Sequence, residues 1–152
     1  MSSRTVVLQK RAASLKKRIA FMVKVKEVMA KSVFTVSKNT KIKETADLMK
    51  KNGAGSLLVK DGDQIVGIIT ETDIVHKVVA KGLSPQITGV DAVMSFPLIT
   101  TDFETAIELA GRQMVENGIR HLAVTEKGEV IGMLSMRDLL RPFYSQGEGS
   151  GT

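Results

Sequence analysis

One pattern occurs twice in this 152-residue chain, as GIITETDI at residues 67–74 and as GMLSMRDL at residues 132–139. In each stretch a glycine stands within an apolar run, a hydroxyl residue ends the run, and an aspartate follows three positions later. The apolar run predicts a buried β-strand, and the hydroxyl and the acid predict the capped start of a helix. The same strand-to-helix turn therefore occurs twice, and the rest of the chain is organised around it.

The chain is a tandem duplication around these two stretches. Residues 25–75 align with residues 90–140 without a gap, and 13 of the 51 aligned positions are identical. A duplication of this kind predicts two similar halves related by a pseudo-twofold axis. One copy alone has too small a core to be stable, so we expect the two copies to pack together.

In each copy the pattern of apolar and polar residues predicts the order strand, helix, strand, strand, helix. In copy one the strands are expected at 33–36, 56–60 and 64–70, and the helices after Thr40 and at 71–80. In copy two the same elements are expected at 98–101, 105–117, 121–125, 129–135 and 136–144. The later strands are nearly continuous apolar runs, which are typical of sheets covered on both faces. The predicted fold class is α+β, with two β-α-β-β-α repeats.

The chain divides into four predicted regions. A basic helical extension covers residues 1–24, repeat 1 covers 25–82, repeat 2 covers 90–144, and a flexible tail rich in Gly and Ser covers 145–152. Residues 1–24 carry seven Lys and Arg and no acid, so their charge is +7. Since the whole chain has a net charge of +6, the remainder sums to −1. The basic character is therefore confined to the extension.

The extension carries an apolar stripe typical of a helix. Its members are spaced by three and four residues: Leu8, Ala12, Leu15, Ile19 and Met22. This spacing favours a helix that packs on the body of the protein or on a partner subunit. Two other interpretations stay open. In one interpretation, residues 4–24 bind nucleic acid or another acidic surface. In the other, the natural chain starts near Met22 and residues 1–21 are an addition.

Composition excludes several classes of protein. An apolar fraction of 43% with 25% charged residues is typical of a folded domain and argues against disorder. Cysteine is absent, which excludes disulfides, thiolate metal sites and a cysteine nucleophile. No apolar run approaches the roughly 20 residues that a membrane-spanning helix needs. We therefore expect a cytoplasmic protein with no membrane association, no metal site and no catalytic group of residues.

The repeated turn has two compatible interpretations. In the first, Thr70 or Ser135 caps the helix, and Asp73 or Asp138 reaches back to complete a capping box. In the second, the same helix start binds a ligand. A helix N-terminus offers free N–H groups to a phosphate, and a nearby carboxylate accepts both hydroxyl groups of a ribose, as in dinucleotide-binding folds.

Taken together, these features resemble a tandem pair of CBS domains, the regulatory modules named after cystathionine β-synthase. The resemblance covers about residues 25–144. It rests on the duplicated pattern, on the Val-x-x-Val-Met openings at residues 25–29 and 90–94, and on the two endings quoted above. It implies two three-stranded sheets packed with helices, and a cleft between the repeats that in many members binds AMP, ADP, ATP or S-adenosyl compounds.

The resemblance also implies two sites in this cleft. In each, one repeat supplies the hydroxyl group and the aspartate, and the other supplies its first strand and its hairpin. The first implied site contains Thr70, Asp73, Ile99, Thr100, Arg120 and His121. The second contains Ser135, Asp138, Phe34, Thr35 and Val36, together with Gly55 and Ser56. Arg137 matches a position that is often basic and faces phosphate in adenylate-binding relatives.

Within these sites the resemblance assigns a role to each segment. It places Ile99, Thr100 and residues 34–36 beside the base, and Arg120, His121 and residues 55–56 near the phosphate. Simpler interpretations remain for several of them: solvated charges for the two arginines, a packed strand residue for His121, and β-forming residues for the threonines. Since residues 55–56 align with Arg120 and His121, this assignment predicts tighter binding at the Thr70 and Asp73 site.

The function expected from the sequence is non-catalytic sensing of adenine nucleotides, in the sense of energy sensing, by a regulatory homodimer. S-adenosylmethionine is a further candidate ligand, and no catalytic cofactor is expected. The competing hypothesis is a nucleic-acid-associated protein that uses its basic N-terminal helix, with the CBS pair as its ligand-responsive body. An enzyme such as a CBS-containing dehydrogenase is excluded, because the chain has no room for a catalytic domain.

Overall fold

The computed structural model describes residues 2–144, so the predicted flexible tail at 145–152 lies outside the described residues. Within that range there are six strands: β1 (Thr35–Ser37), β2 (Ser56–Asp61), β3 (Gln64–Thr70), β4 (Thr100–Asp102), β5 (His121–Glu126) and β6 (Glu129–Ser135). The α-helices within that range are α1 (Ser3–Met22), α2 (Val25–Val28), α3 (Ile42–Asn52), α4 (Glu71–Ile74), α5 (Ile107–Asn117) and α6 (Met136–Tyr144).

The described chain forms two compact units, each built on one three-stranded sheet. The first unit is residues 32–99, with strand order β1-β2-β3; the second is residues 2–31 with 100–144, with strand order β4-β5-β6. In both sheets the first strand runs parallel to the second, and the third strand runs antiparallel to the second. The predicted α+β class with two sheets is confirmed.

Apolar side chains of one helix face and of the strands form the core of the first unit. Ile42 and Met49 of α3 are 0% and 6% exposed. They pack with Leu57 and Val59 of β2 and with Ile69 of β3. Helix α3 ends at a glycine, Gly53, whose φ of 58° lies in the left-handed region. The chain therefore leaves the helix at this glycine.

The opening segment of each repeat packs into the unit of the other repeat. Ala30, from the opening of copy one, pairs with Met133 of β6, and Ser95, from the opening of copy two, pairs with Ile68 of β3. Each bridge has two backbone hydrogen bonds, of 2.8 and 2.9 Å for the first and 2.8 and 3.0 Å for the second. Each compact unit thus combines residues from both sequence repeats.

Charged contacts also join the N-terminal segment to the rest of the second unit. Lys24 and Lys26 both donate hydrogen bonds to the carboxylate of Glu104. These bonds hold the pKa of the Glu104 carboxyl below its ordinary value. Lys24 and Glu104 are both largely exposed, so this cluster positions the segment and adds little to stability.

Several predicted elements differ in detail from the structure. Strands β1 and β4 each begin two residues later than expected, at Thr35 and Thr100. The helix expected at 71–80 is α-helical only for Glu71–Ile74 and continues as a π-helical turn, Val75–Val79. In that turn the amide of Ala80 donates to the carbonyl of Val75, five residues back, which widens the helix.

The helix predicted for the extension is present as α1, but its apolar stripe is not buried. Leu8 and Leu15 are each 57% exposed, and Met22 is 69% exposed. Helix α1 contacts α5 and α6 of the second unit. The only half-buried residues of α1 are Ile19 and Ala20, near its end. Most of the helix surface, including the stripe, is therefore open to solvent.

Candidate ligand-binding site

In the first unit, the sheet brings several predicted site residues to one edge. Because β1 and β2 are parallel and β3 is antiparallel, the starts of β1 and β2 lie beside the end of β3. Ser56 pairs with Thr70, and the carbonyl of Phe34 accepts a 3.0 Å hydrogen bond from Leu58. Thr35 is exposed at this edge, whereas Val36 is buried in the core.

The second unit has the same arrangement with different side chains. His121 pairs with Ser135, and Thr100, which follows Ile99 in the chain, pairs with Ala123. The amide of Met136, the first residue of α6, donates a 2.8 Å hydrogen bond to the carbonyl of Arg120. Arg120 and His121 therefore lie beside Ser135 and the start of α6 within one unit. Their assignment to the Thr70 and Asp73 site stays a prediction.

Thr70 and Asp73 form a capping box at the start of α4, as the first interpretation of the motif predicts. The amide of Asp73 donates to Thr70 Oγ1 at 3.1 Å. In return Asp73 Oδ2 accepts from the Thr70 amide at 3.0 Å and from Thr70 Oγ1 at 3.1 Å. Asp73 is only 5% exposed, so these bonds satisfy a carboxylate that burial would otherwise destabilise.

The other oxygen of Asp73 is held by two residues that were not predicted to belong to the site. Ser95 Oγ donates to Asp73 Oδ1 at 2.9 Å, and Lys77 Nζ lies 2.8 Å from the same oxygen. Lys77 Nζ also donates to the carbonyl of Val93 at 3.0 Å and to Ser95 Oγ at 3.2 Å. Both Ser95 and Val93 belong to the opening segment of copy two, so this segment completes the surroundings of Asp73.

Asp138 caps α6 in the same way but has fewer partners. Its Oδ2 accepts from the Ser135 amide at 2.8 Å, and its own amide donates to Ser135 Oγ at 3.2 Å. Its Oδ1 accepts from Arg141 Nη2 at 2.7 Å. The Asp138 side chain is 11% exposed, and the Arg141 side chain is 59% exposed. The carboxylate is thus nearly buried, and its cationic partner lies largely in solvent.

Equivalent positions of the two edges differ in charge. Exposed Arg137 of α6 corresponds to Thr72 of α4, and exposed Arg120 corresponds to Gly55. Glu71, which is exposed in the first turn of α4, corresponds to the neutral Met136. The second unit therefore presents two additional cations and lacks one acid at this edge. A ligand with an anionic group is favoured there by simple electrostatics.

The edge residues offer groups that can bind a ligand. A buried carboxylate accepts hydrogen bonds from vicinal hydroxyl groups, and arginines bind phosphate oxygens.

Within residues 2–144, no group of three or more His, Asp or Glu side chains is placed to hold a metal ion. Nor does any helix in this described range combine the length and the apolar character needed to cross a membrane.

Sequence reasoning missed Lys77, Ser95 and Arg141. Lys77 lies four residues after Asp73, and Arg141 lies three residues after Asp138. Both spacings place side chains on one helix face and are visible in the sequence. Ser95 lies 22 residues from Asp73, so only the packing of the opening segment brings it there.

A family model and several known proteins match the chain. The CBS domain family matches residues 25–80 and 90–144. An uncharacterized protein of Methanopyrus kandleri is 37% identical over 121 residues, which are 78% of this chain and 62% of the relative. The chain therefore spans less than two thirds of that relative.

Solved structures of CBS-domain proteins resemble the chain closely. A signal-transduction protein with CBS domains from Burkholderia ambifaria has a TM-score of 0.75 and 32% identity, covering 81% of this chain and 90% of that protein. A hexameric CBS-CP12 protein from bloom-forming cyanobacteria has a TM-score of 0.72 and 30% identity, covering 78% and 66%. A CBS domain pair in complex with 5′-methylthioadenosine and S-adenosyl-L-methionine has a TM-score of 0.71 and 25% identity, covering 80% and 95%.

Proposed function

Because the chain belongs to the CBS-domain family, we propose that it is a non-catalytic regulatory module that senses an adenine nucleotide: AMP, ADP or ATP. The observation that carries the proposal is the edge of the second unit, where buried Asp138 lies at the start of α6 together with Arg120 and Arg137. The neighbouring structure that contains 5′-methylthioadenosine and S-adenosyl-L-methionine supports a ligand with an adenosine group.

Each part of an adenine nucleotide has a matching group at this edge. The ribose hydroxyls donate to the Asp138 carboxylate, which has accepting capacity beyond its cap. The phosphate binds Arg120, His121 and Arg137 near the N-terminus of α6, where the helix dipole adds positive potential. Thr100, at the start of β4, lies beside the base. The corresponding residues of the first unit are Thr70, Asp73, Phe34 and Thr35, whereas Val36 is buried in the core.

A calorimetric titration of the full chain with AMP, ADP, ATP and S-adenosylmethionine tests the proposal. We expect saturable binding of at least one of the three nucleotides. A protein that is folded by circular dichroism and binds none of the four compounds contradicts adenosine sensing. Binding of S-adenosylmethionine alone contradicts nucleotide sensing and keeps the adenosine site.

Arg120→Ala is expected to weaken AMP binding about tenfold, because a charged hydrogen bond contributes about 1.5–3 kcal/mol. The affinity for adenosine, which has no phosphate, should change less than about twofold. Arg112→Ala is the matched control, since Arg112 is an exposed arginine of α5 paired with Glu108. An equal loss for AMP and adenosine, or the same loss in the control, contradicts a phosphate role for Arg120.

The basic N-terminal helix supports a second candidate function, association with nucleic acid. The six cations of α1 are exposed, and none of them forms an ion pair with another described residue. They are Arg4, Lys10, Arg11, Lys16, Lys17 and Arg18. Their charge is therefore available for the phosphates of a polyanion.

Duplex DNA binding by the full chain should fall steeply with salt if α1 contacts phosphates. We expect a slope of about −4 to −6 in log K against log salt, because each neutralised phosphate contributes about −0.9. A chain that begins at Met22 should lose this binding. Equal binding by the two proteins, or no binding in low salt, contradicts the nucleic-acid role.

We also propose that the protein forms a homodimer through its exposed apolar helix surfaces. Val75 and Val79 of the π-helical turn are 53% and 67% exposed, and Leu140 of α6 is 52% exposed. Val75 and Val79 are four residues apart in one helical turn, and exposed apolar residues that share a helix in this way are typical of subunit interfaces. Light scattering coupled to gel filtration should give twice the monomer mass. A monomer at all concentrations contradicts the proposal.

A further inference from the structure

We propose that the two edges are unequal, and that Ser95 and Lys77 close the carboxylate of Asp73 to the ribose of an adenosine ligand. Ligand then binds to the second unit, through Asp138, and Asp73 serves mainly to stabilise the fold. This inference rests on the proposed function and specifies which of the two clusters performs it.

The acceptor capacity of Asp73 is already filled within its own unit. A carboxylate has about four lone-pair positions. Oδ2 accepts two hydrogen bonds from Thr70, and Oδ1 accepts one from Ser95 and contacts the ammonium group of Lys77. A ribose diol must displace at least one of these partners in order to bind. Displacing Lys77 also breaks its bonds to Val93 and Ser95.

The acceptor capacity of Asp138 is only partly used. Among residues 2–144, its carboxylate accepts one hydrogen bond from the Ser135 amide and one from Arg141. About two lone-pair positions therefore remain for ribose hydroxyls. The second contact of Arg141 with the protein is a long one, 3.4 Å to the carbonyl of Val28. Arg141 is consequently held less firmly than Lys77 and can move as ligand enters.

The difference between the surroundings of Asp73 and Asp138 follows from sequence differences between the two repeats. At the repeat offset, Ser95 aligns with Ala30, and Lys77 aligns with Pro142. Ala30 and Ser95 occupy equivalent backbone positions, because each forms a pair of hydrogen bonds with an equivalent residue, Met133 or Ile68. Alanine has no hydroxyl group to donate to Asp138, and proline has no cation. Asp138 has a cationic partner in Arg141 instead, so the sequence provides the closing hydroxyl group in one unit only.

Charge favours the same unit for an anionic ligand. Arg120 and Arg137 lie at the edge that contains Asp138, whereas Glu71 lies at the edge that contains Asp73. The family resemblance led to the opposite expectation, because it assigned Arg120 to the Thr70 and Asp73 site. The contacts within each unit and the family assignment therefore predict opposite orders of affinity, and one experiment distinguishes them.

The experiment exchanges the closing hydroxyl between the units. The full chain and the variants Ala30→Ser, Ser95→Ala and Ser95→Ala/Lys77→Met are titrated with 5′-methylthioadenosine, which has the ribose diol and no phosphate. Binding is located by chemical-shift changes at the amides of Asp73 and Asp138. The titrations are repeated with AMP, so that the diol and the phosphate are tested separately.

The wild-type chain should bind one ligand, with shifts at Asp138. Ala30→Ser should weaken binding about tenfold, because the new hydroxyl occupies one acceptor position of Asp138. The Ser95→Ala/Lys77→Met variant should gain a second site with shifts at Asp73. Equal occupancy of both edges in the wild type, stronger shifts at Asp73, or unchanged affinity in Ala30→Ser overturns this inference alone. Failure of both ligands to bind overturns the inference, and the proposed function falls with it only if ADP and ATP also fail to bind.

Discussion

Asp138→Ala is expected to weaken AMP binding roughly 30-fold, since charged hydrogen bonds to the ribose contribute about 2 kcal/mol. The variant also loses the cap of α6, which should lower the free energy of unfolding by about 1 kcal/mol. The loss of binding is thus larger than the loss of stability. Calorimetry at a temperature well below the unfolding transition measures the first, and urea unfolding measures the second.

Asp73→Ala is the matched variant, because Asp73 occupies the equivalent position of the other repeat. It removes a carboxylate with bonds to Thr70, Ser95 and Lys77, and therefore should lower stability more than Asp138→Ala does. Its AMP affinity should stay within about threefold of the wild type. If Asp73→Ala instead weakens AMP binding as much as Asp138→Ala, the two edges are equivalent and Asp138 has no special role.

Much of the fold is accessible from the sequence because its signals are local. The apolar runs of β2, β3, β5 and β6, the glycine that ends α3 and the hydroxyl residues that cap α4 and α6 each depend on residues close in the chain. The capping pairs of Thr70 with Asp73 and of Ser135 with Asp138 were expected for the same reason, and the structure contains both. Local patterns of this kind need no knowledge of tertiary contacts.

The partners of the two aspartates could not be found in this way. A repeat alignment groups residues that are adjacent in sequence, so it places Ser95 with copy two. In the structure the opening segment crosses to the other unit, and Ser95 lies on β3 beside Asp73. The difference between Ser95 and Ala30 is visible in the alignment, but its meaning depends on that crossing. The apolar stripe of α1 similarly predicts a buried face, whereas most of the stripe is exposed.

The crossing segments explain why each repeated motif begins with glycine. A Cβ atom added to Gly132 would lie 2.7 Å from the carbonyl oxygen of Ala30 and 2.9 Å from the sulfur of Met29. A Cβ atom added to Gly67 would lie 2.7 Å from the carbonyl oxygen of Ser95. Both oxygens take part in the backbone bridges that hold the opening segments. A side chain at either glycine therefore forces the backbone of an opening segment away from its strand.

Gly132→Ala and Gly67→Ala are each expected to lower the free energy of unfolding by about 1–3 kcal/mol, the range typical of overpacked positions. Gly111→Ala in α5 is the control, because its added Cβ atom would meet only the end of the Leu139 side chain, at 3.3 Å. The gain in helix propensity there should leave that variant as stable as the wild type or up to about 1 kcal/mol more stable. Urea unfolding followed by circular dichroism measures all three. Wild-type stability in both strand variants would contradict the close approach of the opening segments.

Destabilisation of Gly67→Ala together with a gain of ligand-induced chemical-shift changes at Asp73 would connect that approach to the closing of the site. The reason is that moving the opening segment also withdraws Ser95 from the Asp73 carboxylate.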